Sequence, residues 1–119
     1  MNESDLQTML QSRFGLQSLR PLQQQIIDRV MDGGDALVVM PTGSGKSLCF
    51  QLPAIAMREE SGGEGVGLVF SPLIALMEDQ VAALRKKGIK ASYVNSTVRK
   101  QERLKRYKKL AAGEYELFY

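Results

Sequence analysis

Two spacings of apolar residues alternate along this chain. Leu6, Met9 and Leu10 suggest a short first helix. Leu22, Ile26, Ile27, Val30 and Met31 fall on one face at helical spacing, until Gly33 and Gly34 stop the run. Ala36–Met40 is apolar throughout and of strand length, the pattern of a strand buried on both faces. A helical stretch from Lys46 to about Met57 follows. Pro53 inside it predicts a kink, because its ring removes a backbone donor and crowds the preceding turn. Beyond a glycine-rich turn at Ser61–Gly65, Gly67–Phe70 reads as a second buried strand. Ile74, Met77, Val81 and Leu84 step by three and four, predicting an amphipathic helix that ends near Gly88. Ala91–Asn95 is a short third strand, Leu104, Tyr107 and Ala111 define another helix, and Glu116–Tyr119 starts a fourth strand. Strands alternating with helices predict an α/β fold, its parallel sheet covered on both faces and joined by right-handed crossovers.

Composition narrows the picture. Apolar residues make up 44% and charged residues 24% of 119, ordinary values for a folded domain. Without histidine, His-based catalysis and His metal ligation are excluded. The single Cys49 allows no intrachain disulfide and, in an apolar run, reads as a small buried hydrophobe. The polar, acidic start Asn2-Glu3-Ser4-Asp5 does not resemble a secretory signal, and Val66–Met77 is too short and too interrupted to span a bilayer. A cytoplasmic protein without membrane contact is expected. Net charge is only +3, yet eleven of the sixteen basic residues lie between Arg85 and Lys109, opposed there only by Glu102. Such a stretch is either a solvated helix face or a phosphate-contacting surface, and the bland alternative is favoured.

Chemistry concentrates between the first strand and the helix after it. Met40-Pro41-Thr42-Gly43-Ser44-Gly45-Lys46-Ser47 ends in the Gly-Lys-Ser of a phosphate-binding loop. Gly43 and Gly45 let the backbone turn sharply and approach phosphates, and the following helix N-terminus points N–H groups at anionic oxygens. Lys46 would set its charge against the β- and γ-phosphates, and the Ser47 hydroxyl would ligate Mg²⁺. Met40 stands where the general pattern has glycine. Upstream, Gln23 has a side chain able to pair bidentately with adenine N6 and N7. By spacing alone it would face solvent.

Three blocks together resemble the start of the RecQ family of DNA helicases. They are Phe14-Gly-x3-Leu-Arg20-x2-Gln23, then Leu37–Ala54 around the phosphate loop, then Ser71-Pro-Leu-Ile-Ala-Leu-Met-x-Asp-Gln-Val81, with Asn95-Ser-Thr97 beyond. The resemblance runs from about Phe14 to Tyr119 in the family's order, and Met40 is common in that family. It implies a partial RecA-like P-loop domain, residues 1–119 forming the N-terminal portion of the ATP-binding lobe and stopping before the acidic motif II. It implies ATP and Mg²⁺ as cofactors. Thr42, Gly43, Ser44, Gly45, Lys46 and Ser47 would hold phosphates and metal, Lys46 with a catalytic role, while Gln23 and Arg20 would sit at the base. Ser71, Pro72 and Leu73 would lie beside single-stranded or partially duplex DNA. The family often has aromatics where Leu16 and Leu19 stand, which leaves any base stacking to Arg20. The implied activity is ATP hydrolysis coupled to 3′-to-5′ movement and strand separation, with motif II and a second motor lobe required. The 119-residue chain alone is accordingly expected to be inactive. A non-catalytic nucleotide- or nucleic-acid-binding module derived from such a helicase is the alternative. A P-loop kinase or transporter ATPase would leave the first and third blocks unexplained.

Overall fold

The computed structural model describes residues 2–41 and 43–119. Among these described residues five helices and three short strands follow one another: α1 (Glu3–Phe14), α2 (Pro21–Met31), α3 (Leu48–Glu60), β1 (Gly67–Leu68), α4 (Ile74–Lys86), β2 (Ala91–Ser92), α5 (Lys100–Ala111) and β3 (Leu117–Phe118). The sheet is parallel in the order β1-β3-β2, so the last strand inserts between the first two. Gly67 and Ala91 both register with Leu117. Backbone bonds extend the ladders at both ends, Gly67 N–H to Glu116 O at 3.0 Å and Val94 N–H to Tyr119 O at 3.1 Å. The α/β architecture and the parallel sheet agree with the sequence pattern.

α1 is longer than its three apolar residues suggest because its start is capped on both sides. The Asn2 carboxamide oxygen accepts the Asp5 N–H at 2.8 Å, and the Asp5 carboxylate accepts the Asn2 N–H at 3.2 Å. Reciprocal bonds of this kind satisfy donors that a helix start leaves open. α3 continues through Pro53, which is buried, and lies at the centre of the core. Leu52, Ile55 and Ala56 are almost wholly buried, together with Leu10, Ile27, Leu84 and Leu117. β1 comes so close to α3 that a Cβ on Gly67 would stand 2.7 Å from the Ala54 methyl and 2.8 Å from Leu117. Glycine is what permits that approach.

Two expected strands differ from the sequence pattern. Residues 36–40 have no ladder partner among the described residues and are not buried on both faces. Leu37 and Val39 are 95% and 88% exposed, while Val38 and Met40 pack on Ile26 and Cys49. Burial thus alternates along the segment, one side covered and the other open. Gly67–Phe70 contracts to two strand residues and is not buried, Leu68 being 57% and Phe70 92% exposed. An apolar run is buried only where neighbouring strands and helices cover it. At the other end, α5 contributes no buried residue. Two guanidiniums anchor it instead. Arg103 donates to Val98 O at 2.7 Å, and Arg106 donates to Tyr93 O at 2.7 Å while lying 4.8 Å from the Tyr93 ring centroid.

Candidate nucleotide site

Ser47 links the phosphate-binding loop to α3. It is the helix N-cap, with φ −62° and ψ −33°, and its hydroxyl makes no capping hydrogen bond. The Cys49 N–H reaches Lys46 O and the Gln51 N–H reaches Ser47 O, both at 3.0 Å, closing the first turn. The leading N–H groups of such a helix have no carbonyl a turn earlier, so its N-terminus carries partial positive charge. Ahead of it Gly43 and Gly45 adopt φ of 81° and 84°. Ser44 braces the bend, its amide donating to Pro41 O at 3.2 Å and its hydroxyl to the same carbonyl. Lys46 is exposed, and no carboxylate pairs with its ammonium among the described residues. Thr42 lies outside the described residues.

Gln23 departs from the solvent-facing position its spacing suggests. It is 5% exposed, and both ends of its carboxamide are engaged. Its oxygen accepts the Arg20 N–H at 2.9 Å, and its nitrogen donates to Gly45 O at 3.1 Å. The side chain thus spans from the start of α2 to the phosphate-binding loop. A Cβ on Gly45 would push the Gln23 amide nitrogen from its place, and the left-handed φ of 84° itself favours glycine here. Arg20, the N-cap of α2, is exposed beside this contact. Cys49 completes the surroundings of Gly45 O, its Sγ lying 3.7 Å away. Burial pushes the Cys49 thiol above its ordinary pKa, opposed by a hydrogen bond from its own backbone N–H, which suits an inert packing residue.

Ser71, Pro72 and Leu73 follow β1 and lead into α4, for which Leu73 is the N-cap. The Ser71 hydroxyl accepts the Leu73 N–H at 3.2 Å, and Pro72 and Leu73 are exposed. Ser71 shares a cavity of about 190 Å³ with Phe50, in the first turn of α3, and with Gln80 and Tyr119. The third sequence block therefore stands next to the helix that carries the phosphate-binding loop. A larger groove of about 550 Å³ is lined mostly by apolar residues such as Val30, Pro53, Ala54 and Met57, with Arg58, Ser61 and Glu64 also on it. No group of three or more Cys, Asp or Glu residues could hold a metal ion among the described residues. The Ser47 hydroxyl, which makes no capping hydrogen bond, would suit a Mg²⁺ ion held mainly by phosphate oxygens and water, as such ions usually are.

Sequence spacing missed one polar cluster. Gln51 Nε2 donates to the Tyr119 hydroxyl at 3.0 Å, and that hydroxyl donates to Gln80 Oε1 at 2.6 Å. The available signal was Gln51 itself, a polar residue inside the apolar run Leu48–Ala56. Burial pushes the Tyr119 phenol above its ordinary pKa, with the Gln51 bond opposing the shift, so it remains a neutral donor.

Known proteins resemble this chain in sequence. The sequence profile of a family described as DEAD/DEAH box helicase matches residues 20–119. An ATP-dependent DNA helicase RecQ of Haemophilus influenzae is 44% identical over 112 residues, which is 94% of this chain and 17% of that protein. A RecQ of Bacillus subtilis is 43% identical over 114 residues, covering 95% of this chain and 18% of the relative. A putative ATP-dependent DNA helicase Q1 of Caenorhabditis elegans is 46% identical over 94 residues, 79% of this chain and 14% of its own length. The chain thus spans less than a fifth of the length of these relatives. The resemblance drawn from the three sequence blocks agrees with these similarities. No helix among the described residues is long and apolar enough to cross a membrane.

Proposed function

Because the chain belongs to the DEAD/DEAH box helicase family, we propose that it binds ATP with Mg²⁺ as the N-terminal portion of a helicase ATP-binding lobe. Residues 42–47 would wrap the phosphates. Lys46 would neutralise the β- and γ-phosphate oxygens and, in hydrolysis, the charge that develops there. Ser47 would ligate the metal, which on binding supplies charge neutralisation between phosphates. Gln23 would read the adenine edge, exchanging the Arg20 N–H and Gly45 O for adenine N6–H and N7, with Arg20 against the base. The observation that carries this reading is the loop itself: two left-handed glycines lead into a helix N-cap whose hydroxyl makes no capping hydrogen bond.

In a polypeptide of the relatives' length the proposal extends to ATP-dependent DNA unwinding of the RecQ kind, 3′ to 5′, on single-stranded or partially duplex DNA. Ser71, Pro72 and Leu73 would then lie beside the strand. Titration with a fluorescent ATP analogue tests the core of the proposal. Binding should require Mg²⁺ and weaken at least about tenfold in Lys46→Ala, the loss expected when hydrogen bonds to a charged group are removed. Equal affinity in the variant, or binding indifferent to chelation of the metal, overturns it.

A further inference from the structure

Gln51, Gln80 and Tyr119 come from three different elements and meet around one hydroxyl. Gln51 is on α3, Gln80 on α4, and Tyr119 follows the central strand β3. The tyrosine is 5% exposed and Gln51 7%. Burying polar groups costs free energy that a phenylalanine with two leucines would avoid, and the three hydrogen-bonding groups here satisfy one another. What such a cluster adds over an apolar contact is direction. A hydrogen bond at 2.6 Å weakens steeply when its partners slide or turn, whereas packed methyls tolerate small shifts.

Each end of the cluster leads to a segment with a proposed role. The Gln51 N–H is bonded to Ser47 O, so its side chain is one helical turn from the phosphate-binding loop. Gln80 belongs to the helix capped by Leu73, so it moves with the Ser71–Leu73 segment. A cavity of about 190 Å³, bordered by Phe50, Phe70 and Ser71, lies beside the cluster between residues of α3 and α4. We infer that the Gln51–Tyr119–Gln80 cluster is a positioning device that couples occupancy of the phosphate-binding loop to the placement of Ser71–Leu73. The inference rests on the nucleotide-binding reading above.

The test uses the longest polypeptide in which this chain occurs. Affinity for oligo-dT is measured with and without a non-hydrolysable Mg²⁺–ATP analogue, and affinity for the analogue alone is measured first. In the unaltered protein the analogue is expected to change oligo-dT affinity about fivefold or more, the lower range of coupling between sites. Tyr119→Phe keeps the ring and loses the hydroxyl, and Gln80→Leu loses the acceptor. Both should bring that ratio close to one while leaving affinity for the analogue alone unchanged. Gln80→Glu keeps an acceptor for the Tyr119 hydroxyl and should restore the ratio, which a merely structural role would not require. If Tyr119→Phe does not fold, the Gln80→Leu and Gln80→Glu pair carries the same comparison. An undiminished ratio in the variants that lack the hydroxyl or its acceptor overturns the inference. Failure of the unaltered protein to bind the analogue at all overturns the nucleotide reading and the coupling with it.

Discussion

Replacing Gln23 with alanine should have two effects that are measured separately. The first is on stability. The carboxamide holds the Arg20 N–H at 2.9 Å and Gly45 O at 3.1 Å, and the residue is 5% exposed. Each hydrogen bond contributes about 0.5–1.5 kcal/mol net, so truncation should cost about 1–3 kcal/mol. In a domain of this size that lowers the melting temperature by roughly 3–8 °C for each kcal/mol lost. The second effect is on base choice. A bidentate amide–adenine pair is worth about 1–3 kcal/mol of discrimination, but Gln23 must release its two present partners to form it. When GTP is bound the amide can stay where it is, since guanine offers acceptors at both O6 and N7 and the amide complements only one of them. The net preference for ATP should therefore lie at the low end, about 1 kcal/mol or roughly fivefold. Competition among ATP, GTP, CTP and UTP for a fluorescent analogue measures that preference, and Gln23→Ala should abolish it. A variant that loses stability yet keeps the same ratio of ATP to GTP affinity would show that Gln23 is a strut between α2 and the loop and reads no base.

Charge reversal at Arg103 and Arg106 should release α5, since these guanidiniums bond to Val98 O and Tyr93 O and the helix buries nothing of its own. Amide exchange along Lys100–Ala111 should rise sharply while the salt dependence of single-stranded DNA binding stays the same; a slope lower by about one per residue would instead assign them to phosphates. Residues 36–40 have no ladder partner among the described residues, so the Val38 and Val39 amides should exchange rapidly in a monomeric sample. Strong protection of both, without dimerisation, would refute the sheet order.

Helical spacing located α2 and α4 well because each buries one stripe against the rest of the molecule, and the step of three and four residues records that stripe. The same spacing understated α1, whose length depends on Asn2 and Asp5 bonding each other's backbone. It misplaced Gln23 for a related reason. Periodicity tells which face is apolar, but not that a carbonyl 22 residues away will take up a polar side chain on the other face. For residues 36–40 the apolar run led to a strand buried on both faces, yet pairing and burial depend on partners that composition does not specify. The basic run misleads differently: Arg103 and Arg106 look like free surface charge, while in the fold each donates to a main-chain carbonyl. The phosphate-binding loop needed none of this long-range knowledge, because a sharp turn into a helix is encoded by adjacent glycines and the residues that follow them.

Glu116 has a bearing on how the chain assembles. Its carboxylate takes the Arg13 guanidinium at 2.7 Å and the Lys90 N–H at 2.9 Å, immediately before the central strand. The Arg13 bond joins residues 103 positions apart. Closing a loop that long costs about 4 kcal/mol of chain entropy before any contact is gained. The docking of α1 through this ion pair must therefore come late, after β3 has entered the sheet between β1 and β2. Helices α2 and α3, close in sequence and packed together, can form their contact much earlier. Weakening the Arg13–Glu116 pair should thus speed unfolding while leaving the folding rate nearly untouched, the signature of an interaction absent from the transition state.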